Sequence, residues 1–509
     1  MLKKTKTEKY ILVLFLAFMV FYYAFRMITI SPWYDEVYTY NSFISRGPVY
    51  SALHWPLPNN HVFFSVISSL LNPFGNLIAL RGISFLSAVG TIFLLVHFLK
   101  KENNTFAVIT SVCFYNFLIL PVTLSVQGRG YSLATFFLTL ALVSGKSIFV
   151  DEKPGKKWYI LWFISLWLGL YTLVSSVYYV SAVCLFFGIY ALIVKKYKEL
   201  VKLIIASFCS AVATFACYGI LWLSIGSHDI YLYDGVSDSH VRIVLSMPFE
   251  CLKRGIYLMK SNPFMGGVER KLFVQDFRYF FSQLFGEFFG ITNNRINIVF
   301  FAVIVIYLLV ISVYAILRVK KGEKVSGVWE LFYGLAAGLS MITVFVVLLI
   351  QSTYPFARNL SFLGIFFTIF IYVPVNKLFE FIGKKGLLSV ITLIVMICSA
   401  VVMLSGYRMR QYSEIDHHAA DAISQCCFEN GTTYMVSDEY SQQQMEYIVL
   451  KGRKADVTIT DNPAGADYVI VMKGDNTGEW PYIHNGDEIA MATSGKTLIA
   501  ENAYYEIWK

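Results

Sequence analysis

Two adjacent carboxylates, Asp35 and Glu36, follow the first long apolar run of the chain, within Ser31-Pro32-Trp33-Tyr34-Asp35-Glu36-Val37-Tyr38-Thr39-Tyr40. Aromatic rings flank them on both sides, and a carboxylate among rings is partly desolvated, the setting of a general base. The ordinary alternative is that interfacial Tyr and Trp anchor a helix end while the acids are merely solvated. The run His54-Trp55-Pro56-Leu57-Pro58-Asn59-Asn60-His61 comes next, and its two histidines beside an acidic pair suit a shared site or a divalent ion. Their spacing matches no metal motif. Arg129 lies in Ser125-Val126-Gln127-Gly128-Arg129-Gly130-Tyr131-Ser132, and Arg358 lies in Gln351-Ser352-Thr353-Tyr354-Pro355-Phe356-Ala357-Arg358-Asn359. Each arginine either snorkels to lipid headgroups or contacts an anion. Two arginines and two carboxylates at one surface suit a substrate that is anionic and must lose a proton, such as a lipid-linked phosphosugar.

Long apolar segments must position these loops. The 509 residues are 57% hydrophobic, 17% aromatic and only 15% charged, with mean hydropathy +0.58, against about 25% charged residues in soluble domains. A span of the hydrocarbon core takes about 20 apolar residues. Eleven segments qualify, roughly 10–30, 78–99, 105–125, 132–150, 158–173, 177–194, 203–225, 297–317, 328–350, 360–376 and 387–405. His61 to Phe74 is too short to cross and reads as an interfacial helix.

Charge sets the orientation. With the N-terminus inside, the short cytoplasmic loops hold twenty Lys and Arg, whereas the short outer loops hold only Arg46, Arg129 and Arg358. That asymmetry predicts N-in and C-out, with Asp35 outside the cytoplasm of a plasma or inner membrane. The net charge of +9 is therefore topology, not a nucleic-acid signature. The first apolar run is too long for a cleaved signal peptide and reads as an uncleaved helix.

The expected organisation is a helical membrane domain over 1–405, with outer loops 31–77 and 226–296, followed by a small α/β extracytoplasmic domain over 406–509. Residues 432–437, 456–460 and 466–472 read as strands and 439–450 as a helix, with a terminal hairpin around Ser494-Gly495. This tail is read as accessory. Gly334-x-x-x-Gly338 suits close helix packing. Of the eight cysteines, those in apolar runs read as small hydrophobes, and the vicinal Cys426-Cys427 pair with another chain or stay free. There is no phosphate-binding glycine loop, no H-E-x-x-H, no G-x-S-x-G and no D-x-D.

With these residues on the page, the sequence resembles the GT-C superfamily of membrane glycosyltransferases, in the branch of the protein O-mannosyltransferases and the lipid A aminoarabinose transferase. The matching features are Asp35-Glu36 after the first helix and the Pro/Asn/His run before a short interfacial helix. To these add Ala79-Leu80-Arg81-Gly82-Ile83-Ser84, Arg129-Gly130-Tyr131-Ser132-Leu133, Tyr171-Thr172, and Tyr354-Pro355 to Arg358. The likeness covers roughly residues 10–225 and, more weakly, 328–376.

The resemblance implies a sugar donor carried on polyprenyl phosphate, entering from the membrane, whose hexosyl or pentosyl group passes with inversion to a glycan, lipid or protein acceptor. It implies Asp35 as general base with Glu36 in support. Arg129 and Arg358 would sit on the donor phosphate. Tyr34, Tyr38, Asn60, His61, Gln127 and Tyr131 would line the sugar and acceptor pocket. Gln127 stands where many relatives carry a second acid, and Leu173 where the family has a His after Tyr-Thr. Those departures favour a metal-independent reaction with no cofactor over one using a divalent ion. The alternatives are a non-catalytic scaffold that kept the fold, or a lipid or polysaccharide transporter. A transporter should show internal repeats and broken helices, and no repeat is found here.

Overall fold

The computed structural model describes residues 6–54, 60–100, 105–150, 154–225, 246, 249, 253, 267–291, 293–351, 354–405, 414–426, 430–453, 456–474 and 483–509. Uncharged apolar runs form helices because lipid offers no partner to a free backbone N–H or C=O. The chain opens with α1 (Lys6–Thr29), the short α2 (Tyr34–Ser42), α3 (Pro48–Leu53) and α4 (Val62–Ser69), and then α5 (Asn76–Leu99). It continues through α6 (Thr105–Phe117), α7 (Ile119–Thr123), α8 (Tyr131–Val150), α9 (Lys156–Thr172), α10 (Val177–Ile193) and α11 (Tyr197–Ile225). After α12 (Gly267–Phe289) come α13 (Asn294–Lys320), α14 (Trp329–Gln351), α15 (Leu363–Ile382) and α16 (Lys385–Leu404).

Among the described residues nine helices are long and apolar enough to cross a membrane, which makes this a multi-pass membrane protein. Each of the eleven expected spans has a helical counterpart, but two of these are not single helices of about 20 residues. The segment 105–125 is split at Leu118 into α6 and α7, and 158–173 is the 17-residue α9. The interfacial helix after His61 is present as α4 followed by a 3-10 turn, Asn72–Phe74. Helix α12 lies in the stretch read as an outer loop. Its Phe277, Phe280, Phe281 and Phe285 pack against Tyr354, Phe345 and Phe300. The Gly334 and Gly338 positions bear out close packing. A Cβ there would meet Ile311 at 2.6 Å and Leu308 at 2.5 Å on α13.

Basic side chains tie together the end of the bundle opposite α2. Lys146 donates to the Phe98 carbonyl and the Tyr333 hydroxyl, Lys377 pairs with Glu330, and Lys385 meets Glu8 at 3.2 Å.

The C-terminal stretch carries α17 (Glu414–Ser424), β1 (Thr433–Val436), α18 (Glu439–Met445), β2 (Thr458–Ile459), β3 (Tyr468–Met472), α19 (Gly486–Thr493), β4 (Leu498–Glu501) and β5 (Tyr505–Trp508). Helix α18 runs on as a π-helical segment, Glu446–Arg453. The five strands form one sheet in the order β2-β1-β3-β5-β4, with β2, β1 and β3 parallel and β5 antiparallel to both β3 and β4. The terminal hairpin turns at Asn502–Tyr504, not at Ser494-Gly495. Gly495, at φ +76°, follows the end of α19 instead. The buried core of this sheet includes Tyr34 of α2 beside Tyr434, Met445 and Tyr505. The tail is therefore built into the first loop rather than appended to it. Cys113, Cys184, Cys209, Cys217 and Cys398 are free thiols, and Cys251 and Cys427 lie outside the described residues.

Candidate functional site

Helix α2 begins at Tyr34, so Asp35 and Glu36 fall in its first turn, where a carboxylate favours the exposed N–H dipoles. Glu36 reaches back to accept the Trp33 backbone N–H at 2.9 Å. Successive helical residues point about 100° apart, and the two acids accordingly face different surroundings.

Glu36 is buried against Arg81 of α5 in a bidentate pair, Nε to Oε1 and Nη2 to Oε2, both at 2.8 Å. The Gly128 N–H adds a third donor at 2.5 Å. Arg81 spends its remaining donors on the carbonyls of Met27, Ile30 and Ser31. These include acceptors that the end of α1 leaves without helical partners. Glu36, grouped with Asp35 in the expected catalytic pair and given the supporting part there, takes that part away from the cavity. Glu36 does not line the large cavity, and its oxygens are already occupied, so it is a positioning residue that joins α1, α2, α5 and the 125–130 loop. The expected pocket placement of Gln127 is corrected. It lines a small separate cavity with Arg26, Glu36 and Arg81, and its Oε1 has no hydrogen-bond partner among the described residues.

Asp35 faces a cavity of about 710 Å³. Its Oδ2 lies 3.8 Å from Arg129 Nη2 and 3.7 Å from Arg358 Nη2, and it accepts no hydrogen bond among the described residues. Asp35 thus sits between two guanidinium groups as well as aromatic rings. Arg129 is buried and anchored through Nη1 to the Asp35 carbonyl at 3.1 Å and to Thr39 Oγ1 at 2.8 Å. Arg358 follows the turn after α14 and lies over the rings of Trp33 and Phe356, at 5.2 and 4.6 Å. Two aromatic rings thus help to hold the guanidinium in place.

His61 completes this group. The Gly130 N–H donates to its Nδ1 at 2.7 Å, which leaves the proton of the neutral ring on Nε2. Burial, and then the nearby Arg129 and Arg358, hold the imidazole pKa well below the ordinary 6.5. Its Nε2 lies 3.3 Å from Arg129 Nη2, so two donors converge on one space.

Glycines allow this approach. A Cβ on Gly130 would meet the His61 Nδ1 at 3.1 Å and Thr172 Cγ2 at 2.7 Å, and one on Gly128 would strike the Leu80 carbonyl at 2.8 Å. Asn60 braces the histidine, with Nδ2 donating to the Ser51 and His54 carbonyls and Oδ1 accepting from Ser65.

Tyr34, Tyr38, Asn60, His61 and Tyr131 all line the Asp35 cavity, as expected, together with Arg129 and Arg358. The Tyr131 ring meets the His61 ring edge-on at 5.0 Å. Sequence reasoning gave no site role to Arg81, Phe356, Tyr218 or Glu439. Arg81 had a signal, an arginine inside an apolar run. Glu439 had none, because it comes from α18, and its Oε1 accepts a 2.5 Å bond from the Tyr34 hydroxyl.

Neither a protein-family model nor a curated protein sequence matches the chain. Solved structures do. ArnT from Cupriavidus metallidurans, in a crystal bound to undecaprenyl phosphate, aligns over 98% of this chain and 97% of its own, with TM-score 0.53 and 12% identity. Its apo crystal structure aligns over the same shares with TM-score 0.53 and 11% identity. The archaeal oligosaccharyltransferase AglB from Archaeoglobus fulgidus, in complex with an inhibitory peptide and a dolichol-phosphate, aligns over 92% of this chain and 70% of its own, with TM-score 0.45 and 10% identity. At such identities the likeness to ArnT is one of fold, and the chain has the GT-C-like architecture that its sequence led us to expect, a helical membrane body with a small C-terminal sheet.

Proposed function

We propose that this protein is a membrane glycosyltransferase that moves a hexosyl or pentosyl group from a polyprenyl-phosphate carrier to an acceptor hydroxyl. One observation carries the reading. A buried carboxylate oxygen without a hydrogen bond, Asp35 Oδ2, lies within 4 Å of two guanidinium groups in a cavity large enough for a sugar and a phosphate. A carboxylate in such a place can take a proton, and the arginines can receive an anion.

In the proposed reaction Asp35 accepts the proton of the acceptor hydroxyl, and the oxygen attacks the anomeric carbon. The bond from that carbon to the phosphate oxygen breaks, and the phosphate leaves with the electron pair. Arg129, Arg358 and the Nε2–H of His61 receive its growing negative charge. A single displacement inverts the anomeric centre. Positive charge at the leaving group comes from the two arginines, so the reading runs without a metal or other cofactor. Tyr38 and Tyr131 give the sugar aromatic walls. The crystal of ArnT bound to undecaprenyl phosphate supports a lipid phosphate as the carrier class. The distribution of Lys and Arg supports an N-in, C-out orientation with the site outside the cytoplasm of the plasma or inner membrane.

The test is mass spectrometry of cell-envelope glycans from a strain lacking the gene, complemented with wild type or with Asp35→Asn. Wild type should restore a sugar modification that Asp35→Asn does not, although the variant folds. Identical glycans in all three strains would overturn the proposal.

A further inference from the structure

The cavity has a second acidic group that the proposed chemistry leaves unused. Glu439 stands at the first position of α18, half-buried in the cavity wall, and its one hydrogen bond comes from the Tyr34 hydroxyl. Among the described residues no Lys, Arg or His nitrogen lies within 4 Å of it. This contrasts with Asp35, which shares two arginines. Charge balance sharpens the contrast. Arg129 and Arg358 both stand within 4 Å of Asp35, and Arg358 also draws on Glu287, so the cations of the cavity are committed to the Asp35 side and to the donor phosphate rather than to Glu439. A partly desolvated carboxylate with one neutral partner favours a ligand that donates hydrogen bonds to it.

Its placement is firm. The Gln444 side chain donates to the Pro32 carbonyl at 2.8 Å, and Asn41 donates to the carbonyl and side chain of Gln443 at 3.0 and 2.9 Å. Lys451 donates to the Asn41 carbonyl at 3.0 Å. Helix α18 is thereby fixed along α2, the helix that carries Asp35. Asp35 and Glu439 line the same cavity, so a molecule there whose hydroxyl reaches Asp35 has Glu439 in the surrounding wall.

We infer that Glu439 is the acceptor-recognising carboxylate of the cavity, taking a hydrogen bond from a second hydroxyl or an ammonium group of the acceptor while Asp35 deprotonates the attacking hydroxyl. The C-terminal segment thus supplies part of the acceptor site. This rests on the transferase reading.

The experiment uses full-length protein in detergent, envelope fraction from the deletion strain as the source of unmodified acceptor, and its polyprenyl-lipid extract as the source of donor. Each is varied in turn. Glu439→Gln, which still accepts from Tyr34, should raise the half-saturating amount of envelope fraction roughly tenfold, the size expected for losing a bond to a charged group. The half-saturating amount of lipid extract, the affinity for undecaprenyl phosphate and the Tm should stay as in wild type, and Glu439→Asp should recover part of the loss. Tyr34→Phe should cost less than Glu439→Gln.

Three results overturn the inference: unchanged kinetics in Glu439→Gln, a shift in the lipid extract instead of the envelope fraction, or equal losses in Tyr34→Phe and Glu439→Gln, which would mean that Glu439 only holds Tyr34. Asp35→Asn runs alongside. If it too keeps full activity, the transferase reading itself fails; if it alone loses activity, only the role of Glu439 fails.

Discussion

Asp35 and Glu36 share a helical turn and a chemical group, yet their oxygens are treated in opposite ways. Glu36 accepts bonds from Arg81, Gly128 and Trp33, all between 2.5 and 2.9 Å. The Oδ2 of Asp35 has guanidinium groups only at 3.7 and 3.8 Å and accepts no hydrogen bond among the described residues. A satisfied buried ion pair fixes geometry and does nothing else. A carboxylate oxygen that accepts no hydrogen bond has capacity to spare for a ligand. On the proposed reading the first is scaffold and the second is working surface, and the two residues are adjacent in the chain.

Substitutions can break this contrast, and the largest effect should come from Asp35. Asp35→Asn should lower product formation by roughly 10²–10⁴-fold, the usual worth of a general base, while the Tm holds or rises, as read by glycan mass spectrometry and thermal unfolding in detergent. Glu36→Ala should do the reverse in kind. It strands Arg81 in the interior and should cost about 3–5 kcal/mol of stability, seen as a fall in Tm and in yield. The double variant Glu36→Met, Arg81→Leu should be milder than Glu36→Ala, because it leaves no unpaired charge. If both acids behaved alike in these assays, the division drawn between them would be lost.

The next effect belongs to the cationic wall. Arg358→Lys should weaken undecaprenyl phosphate binding by about 1.5–3 kcal/mol, because a point charge on a flexible stem loses the paired donors and the stacking on Trp33 and Phe356. Binding equal to wild type would place the lipid phosphate elsewhere.

The smallest effect sharpens the boundary from the other side. Asp438 caps α18 through Ser441 at 3.1 Å, and burial pushes its pKa from the ordinary 3.8 up to about 6. The folded state therefore holds that proton more tightly than the unfolded chain does. Its contribution to stability is greatest below pH 4 and falls as pH rises towards 6, by roughly 3 kcal/mol at most. Asp438→Asn keeps a capping oxygen without the charge. It should raise the Tm at pH 7 and flatten that part of the pH profile. A steeper profile in the variant would remove Asp438 as the cause.

Much of the working surface was legible because it lies in short loops between unmistakable spans. Asp35, His61, Arg129 and Arg358 were singled out by residue type in the outer loops, Tyr34, Tyr38, Asn60 and Tyr131 through the family resemblance, and all of them share one cavity. Glu36 was grouped with Asp35 because residue type is blind to direction. Only helical phase and the buried Arg81 tell it from Asp35. Gln127 faces away for a similar reason, since the tight loop around Gly128 turns successive side chains to different sides. Helix α12 was missed because its buried face is phenylalanine at helical spacing within a polar stretch, which reads as no span. Glu439 was invisible because nothing local marks a contact between residues 405 positions apart.

That separation sets a clock on assembly. Ribosomes add about 5–20 residues per second, so roughly 20–80 s pass between the emergence of Tyr34 and that of Glu439. Through that interval the aromatic face of the first loop lacks the core it belongs to. A nascent chain already threaded through its early spans cannot seat Tyr34 against Tyr434 and Tyr505, so the cavity beside α2 stays incomplete until the last strands have been made.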